Sequence, residues 1–195
     1  ATLLIQGTIP ANRSSFAVKG AIHHPDACFR AELEKRLKGK GITLDKQKIE
    51  DGERHALLTT VSPFLKDIVY YTNKNSINLF AEALGELISP TDYARTVKAE
   101  LSGMGIDSCG ITLKDASGLS PANAVPAEVF TDLLIWAKGH LSDAFVSSLP
   151  RGNVDWGLRI YSDHPVLREN VIAKTGSMSG VRALAGYLKT QRGET

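Results

Sequence analysis

The stretch Val171-Ile172-Ala173-Lys174-Thr175-Gly176-Ser177 decides how the fold is read. Valine, isoleucine and threonine are stiff at χ1 and suit a pleated backbone, so Val171 to Thr175 is expected to be a strand. Gly176-Ser177-Met178-Ser179-Gly180 has the composition of a turn, and Val181 to Thr190 follows as a second strand. In that second run Val181, Ala183, Ala185, Tyr187 and Lys189 alternate with Arg182, Leu184, Gly186, Leu188 and Thr190. A period of two gives the strand two different faces. Strands joined by so short a connection pair antiparallel. Gln191-Arg192-Gly193-Glu194 then has turn chemistry with no returning strand after it, which implies a sequence that ends inside a sheet.

Working backwards, the pattern changes to helical. Pro126 opens a helix holding Val129, Phe130, Leu133, Leu134 and Trp136, and Ser142 to Leu149 forms a shorter one. Tyr93, Val97 and Leu101 mark a helix that ends at Gly103 or Gly105. A helix pair precedes it. Ser62-Pro63 reads as a hydroxyl cap followed by proline at the first helical position, leading through Leu65, Ile68 and Val69. Leu79, Phe80, Ala83, Leu84 and Leu87 belong to the second member of the pair. Gly110 to Lys114 reads as a strand and Asp115-Ala116-Ser117-Gly118 as a turn.

Nearer the start, Leu3 to Ile9 reads as a strand, and Pro25-Asp26 opens a helix carrying Phe29, Leu33 and Leu37 that Gly39 and Gly41 close. Gly41 to Leu44 and Ala56 to Val61 read as strands around a charged loop. The whole predicts an α+β architecture, in which part of an antiparallel sheet is flanked by helices. Residues 1–60 are expected to be one region and 61–195 another.

Composition narrows the function classes. The chain has 195 residues, 43% of them hydrophobic, and a net charge of +2. That charge is too small to argue for nucleic acid. No apolar run is long enough for a membrane span, and no secretory leader opens the chain. The five histidines His23, His24, His55, His140 and His164 lack metal-site spacing, and Cys28 and Cys109 form no C-x-x-C pair. No metal or other cofactor is implied. The two cysteines read as buried small hydrophobes, with a bridge left open.

Two motifs carry chemistry. Lys174-Thr175-Gly176 arises by chance in about one chain in twenty of this length. A strand ending this way can pair with an extended peptide through its edge. Lys174 supplies a compact charge and Thr175 a hydroxyl donor for a carboxylate. Gly176 lets a substrate backbone approach closely, and the Ser177 N–H lies where an oxyanion donor is wanted. Ser76-Ile77-Asn78 is the second motif. The Ser76 hydroxyl can pass a proton, and the Asn78 amide can bind a carbonyl and an amine together. The plainer alternative makes Ser76 the N-cap of the following helix.

Three runs together carry a resemblance. They are Asn73 to Glu82; Asp115-Ala116-Ser117-Gly118-Leu119-Ser120 with Asn123; and Ala173 to Ser177 with Gly180 and Leu184-Ala185-Gly186-Tyr187. They resemble the S13-type D-alanyl-D-alanine carboxypeptidases, the low-molecular-mass class C penicillin-binding proteins. Gly7-Thr8-Ile9-Pro10 resembles the tail of the accessory domain that this family inserts between its first two motifs. The resemblance implies a partial transpeptidase-like domain with the remnant of that inserted region over residues 1–60.

It further implies an enzyme of the periplasm or cell envelope that removes the terminal D-alanine of peptidoglycan stem peptides through an acyl-serine, which β-lactams trap. Some members also cleave peptide cross-links. By the family pattern Ser76, Asn78 and Lys174 are catalytic, while Thr175, Gly176 and Ser177 bind substrate. The family's nucleophile motif S-x-x-K is missing, because no serine here has Lys three positions on. The chain alone is therefore expected to be inactive. The alternative is a non-catalytic relative that binds cell-wall peptides. A class A β-lactamase fits less well, having no place for the Asp115 to Ser120 run.

Overall fold

Strand β1, Val171–Met178, and strand β2, Val181–Thr190, form an antiparallel hairpin with Val171 opposite Leu188 and Met178 opposite Val181. β1 runs past its expected end at Thr175 to Met178, β2 keeps its expected bounds, and the turn shrinks to Ser179 and Gly180. Gly180 makes this possible with φ +76°, a conformation open to residues without a Cβ. A two-residue β3, Gly193–Glu194, pairs with Lys189 and Thr190, so a return begins where the sequence indicated only a turn. The computed structural model describes residues 8, 11, 12, 15, 22, 24–44, 56, 58–152, 154–161, 163–190 and 193–194.

The chain divides into two compact units, Ala1–Thr59 and Thr60–Thr195. In the first, α1 spans Pro25–Gly39. Pro25 at its start, Asp26 in the first turn and Arg36 and Lys38 in the last complement the helix dipole, and Arg36 Nε bonds Glu32 one turn back at 2.8 Å. Its apolar residues Phe29 and Leu33 are exposed. Gly41 to Leu44 form no strand. The expected strand Leu3 to Ile9 falls mostly outside the described residues.

The second unit is helical up to the hairpin. α2 is Leu65–Asn75, α3 Asn78–Ile88, α4 Tyr93–Gly103, α5 Ala127–His140 and α6 Asp143–Ser148. Ser62 does not cap α2. Phe64 stays extended at ψ 145°, and its carbonyl takes the N–H groups of Asp67 and Ile68, so the helix starts later than expected. α4 is capped by Asp92, whose carboxylate accepts from the Arg95 N–H at 3.3 Å. Gly110 to Lys114 contributes a single bridge, Thr112 to Ala124, and not a full strand. A 3₁₀ helix, Trp156–Tyr161, and α7, Pro165–Asn170, lead into β1.

Two apolar clusters hold this unit. Leu101, Ile106, Ile111 and Val129 bring α4, the following loop and α5 together. Leu158, Val171 and Ala173 seat the 3₁₀ helix against β1, with Leu158 fully buried. Tyr187 of β2 ties the hairpin to α5 by donating its hydroxyl to the Leu134 carbonyl at 2.7 Å. Cys28 and Cys109 are both unpaired and exposed, which corrects the expectation that they are buried.

Candidate functional site

The turn between α2 and α3 sets the helical side of the site. Ser76 ends α2 in the left-handed conformation, φ 54° and ψ 52°, with its N–H on the Thr72 carbonyl. Glycine is the usual residue there because a Cβ is disfavoured. Ser76 is therefore not the N-cap of α3. That position falls to Ile77, which has no side-chain cap, and Asn78 begins the helix.

Lys174 approaches from β1. It is half-buried, and loss of hydration lowers its pKa below the ordinary lysine value. Its Nζ donates to the neighbouring Thr175 carbonyl at 2.6 Å. Ser76, Asn78 and Lys174 all line one cavity of about 390 Å³, together with Thr72, Asn73 and Tyr93. The fold thus joins the S-x-N turn to the lysine of K-T-G.

Thr175, Gly176 and Ser177 line a second cavity, of about 540 Å³, beside Arg159, Tyr161 and Arg182. Consecutive strand residues face opposite ways, which separates Thr175 from Lys174. The backbone of β1 explains how they could still serve one ligand. Among the described residues, the outer edge of β1 is paired only at its start, through Gly152 N–H to the Val171 carbonyl (3.0 Å) and Ala173 N–H to the Pro150 carbonyl (2.9 Å). Peptide groups two residues apart point to the same edge, so the N–H groups of Thr175 and Ser177 share that edge with Ala173. Gly176 meets only the Ala183 Cβ at 3.5 Å where its own Cβ would stand.

A hydrogen-bonded loop forms part of the first cavity's wall. The Asp115 carboxylate accepts from Gly118 N–H (2.8 Å), Ser120 N–H (2.6 Å) and Asn123 Nδ2 (2.8 Å). Glu82 of α3 accepts from the Ser117 N–H at 2.9 Å. Burial, aided by Glu82 and Asp115, raises the pKa of Tyr93 and keeps its phenol protonated. The run read as a turn, Asp115–Gly118, is a bend held by these bonds, and its residues line the cavity that Ser76 and Lys174 share.

Sequence reasoning passed over Lys74 and Asp155. Lys74 Nζ lies 2.9 Å from Asp155 Oδ2 and donates to the Leu149 carbonyl at 2.6 Å. A lysine beside an asparagine at a helix end carries no signal of such a partner eighty-one positions on. Among the described residues, no group of three or more His, Cys, Asp or Glu could hold a metal ion.

The chain matches, over residues 1–195, the family model described as D-Ala-D-Ala carboxypeptidase 3 (S13). It is 29% identical to a D-alanyl-D-alanine carboxypeptidase of Actinomadura sp. strain R39, covering 99% of this chain and 40% of that protein. It is also 29% identical to the D-alanyl-D-alanine carboxypeptidase DacB of Haemophilus influenzae, over 97% of this chain and 43% of that one. The crystal structure of penicillin binding protein 4 (dacB) from H. influenzae, in complex with a β-lactam, superposes with a TM-score of 0.75 at 29% identity. That match takes in 92% of this chain and 45% of that one. The α+β unit described above is thus part of that fold, and the chain spans less than half the length of these relatives.

Proposed function

This chain belongs to the D-Ala-D-Ala carboxypeptidase 3 (S13) family, and on that premise we propose that it is part of a serine D-alanyl-D-alanine carboxypeptidase acting on peptidoglycan stem peptides. The observation that carries this reading is the meeting of Ser76, Asn78 and Lys174 in one cavity. In this reading a serine of an S-x-x-K segment, outside these 195 residues, attacks the carbonyl of the penultimate D-alanine. The carbonyl oxygen becomes an oxyanion, the terminal D-alanine leaves with a proton on its amine, and water then hydrolyses the acyl-enzyme.

The roles follow from position. Ser76 relays the proton to the leaving amine, and Asn78 binds the substrate amide. Lys174 places a cation, poorly hydrated and therefore strongly felt, beside both. The open edge of β1 takes the extended peptide, with the Ser177 N–H on the oxyanion and Thr175 on the terminal carboxylate. Gly176 admits the peptide backbone. β-Lactams, endopeptidase action on cross-links and a periplasmic or cell-envelope location belong to the same reading. Residues 1–60 close an inserted accessory region, and 61–195 carry the transpeptidase-like domain. No described helix is long and apolar enough to cross a membrane.

The test is release of D-alanine from a stem peptide ending in D-alanyl-D-alanine by the full-length protein. Wild type is expected to release one D-alanine per peptide, and Lys174→Ala to lose turnover by a factor on the order of 10²–10³, as when a transition-state donor is removed. Tight peptide binding with no release would replace this reading by a non-catalytic cell-wall peptide binder.

A further inference from the structure

We propose that the Lys74–Asp155 ion pair is a positioning strut that fixes the spacing between the helix-borne and strand-borne halves of the site. The inference rests on the function proposed above.

The pair is not a surface contact. Only 10% of the Lys74 side chain and 20% of the Asp155 side chain are exposed. Withdrawing two charges from water offsets much of their attraction, so such a pair is a poor source of stability and a better source of fixed geometry. Both members of the pair have a further partner. Lys74 Nζ donates to Asp155 Oδ2 and to the Leu149 carbonyl. The same carboxylate oxygen accepts from the Arg151 N–H at 2.7 Å.

Each end of the strut leads to one half of the site. Lys74 sits in the last turn of α2, two residues before Ser76. From that same turn Asn73 Nδ2 donates to the fully buried Ser148 hydroxyl at 2.8 Å, and that hydroxyl donates to the Phe145 carbonyl at 2.6 Å. At the other end, the segment holding Asp155 is stitched to β1. Pro150 and Gly152 bond Ala173 and Val171 directly, and the Gly157 carbonyl accepts from the Thr175 hydroxyl at 3.4 Å. A short route of bonds therefore runs from Ser76 through Lys74 and Asp155 to Lys174. Neither Lys74 nor Asp155 lines the cavity that Ser76 and Lys174 share, so both act by placing other groups.

The test compares wild type, Lys74→Met, Asp155→Asn and the double variant in the full-length protein. Acylation by a fluorescent penicillin is followed at saturation, well below each unfolding midpoint. Lys74→Met is expected to slow acylation on the order of 10²-fold, the scale of a misplacement of about 1 Å, with the double variant no slower than Lys74→Met. Wild-type acylation by Lys74→Met, or losses that multiply in the double variant, would overturn the strut. Should Lys74→Met not fold, the near-isosteric Asp155→Asn carries the same comparison.

Amide hydrogen exchange gives a readout free of activity. In the variants, residues 73–78 and 149–157 should lose protection together, whereas a change confined to one segment would overturn the proposal. If wild type is not acylated while the two segments still loosen together, the strut stands and the proposed function fails.

Discussion

Ser76 and Lys174 line the same cavity, the serine from the turn joining α2 to α3 and the lysine from β1. The serine holds that place in a left-handed conformation, which costs a residue with a Cβ about 1–2 kcal/mol. In the full-length protein Ser76→Gly should therefore add about 1 kcal/mol of stability. It should abolish penicillin acylation at the same time. Ser76→Ala should lose acylation without the gain in stability. Thermal melts and labelled penicillin read the two effects separately.

Lys174 makes a second trade. Burial disfavours its charged form, so its pKa in the fold lies below the unfolded value. Between those two values the unfolded chain holds a proton that the fold has released, and stability rises with pH through that window. Below the folded value the penalty is complete. Lys174→Met should thus melt no lower than wild type at neutral pH while losing acylation. In the proposed mechanism the cation is the working form, so wild-type acylation should decline on the alkaline side at a pH below the ordinary lysine range. In Lys174→Arg, whatever activity remains should show no such decline.

Two glycines of the hairpin divide sharply. Gly186 lies opposite Ala173, and a Cβ there would collide with the backbone of Ile172 and Ala173 in β1. Gly186→Ala should force the strands apart, costing about 3 kcal/mol or more in chemical denaturation. At Gly176 the same methyl group meets only the Ala183 Cβ at an ordinary 3.5 Å. Gly176→Ala should unfold like wild type yet acylate slowly, because in the proposed mechanism the substrate backbone approaches there.

The loop at Asp115 is held by three bonds to one carboxylate. Asp115→Asn puts an amide N–H₂ against an N–H donor. It should cost about 1.5–3 kcal/mol, the range for hydrogen bonds to a charged group. Urea unfolding monitored by circular dichroism checks this.

The hairpin and most of the helices were legible because their signals are local. The β-branched run to Thr175, the alternation in β2 and the apolar spacing of Tyr93, Val97 and Leu101 each act within a few residues. Ser62-Pro63 misled because Phe64 kept an extended backbone, and no local rule overrides that choice. Gly110 to Lys114 misled because strand propensity needs a partner strand, and only Thr112 finds one. In the site, Ser76, Asn78 and Lys174 were visible as motifs. Lys74 was not, since its meaning lies in Asp155 and the Leu149 carbonyl, which the sequence places far away.

In the proposed function these residues complete a serine acyltransferase whose nucleophile lies outside them. The most direct measurement is the intact mass of the full-length protein, of its Lys174→Ala variant and of the 195-residue chain, each with and without penicillin. One penicillin adduct is expected on the full-length protein, and none on the variant or the 195-residue chain within the same time. An adduct on the 195-residue chain, or wild-type acylation of Lys174→Ala, would contradict it.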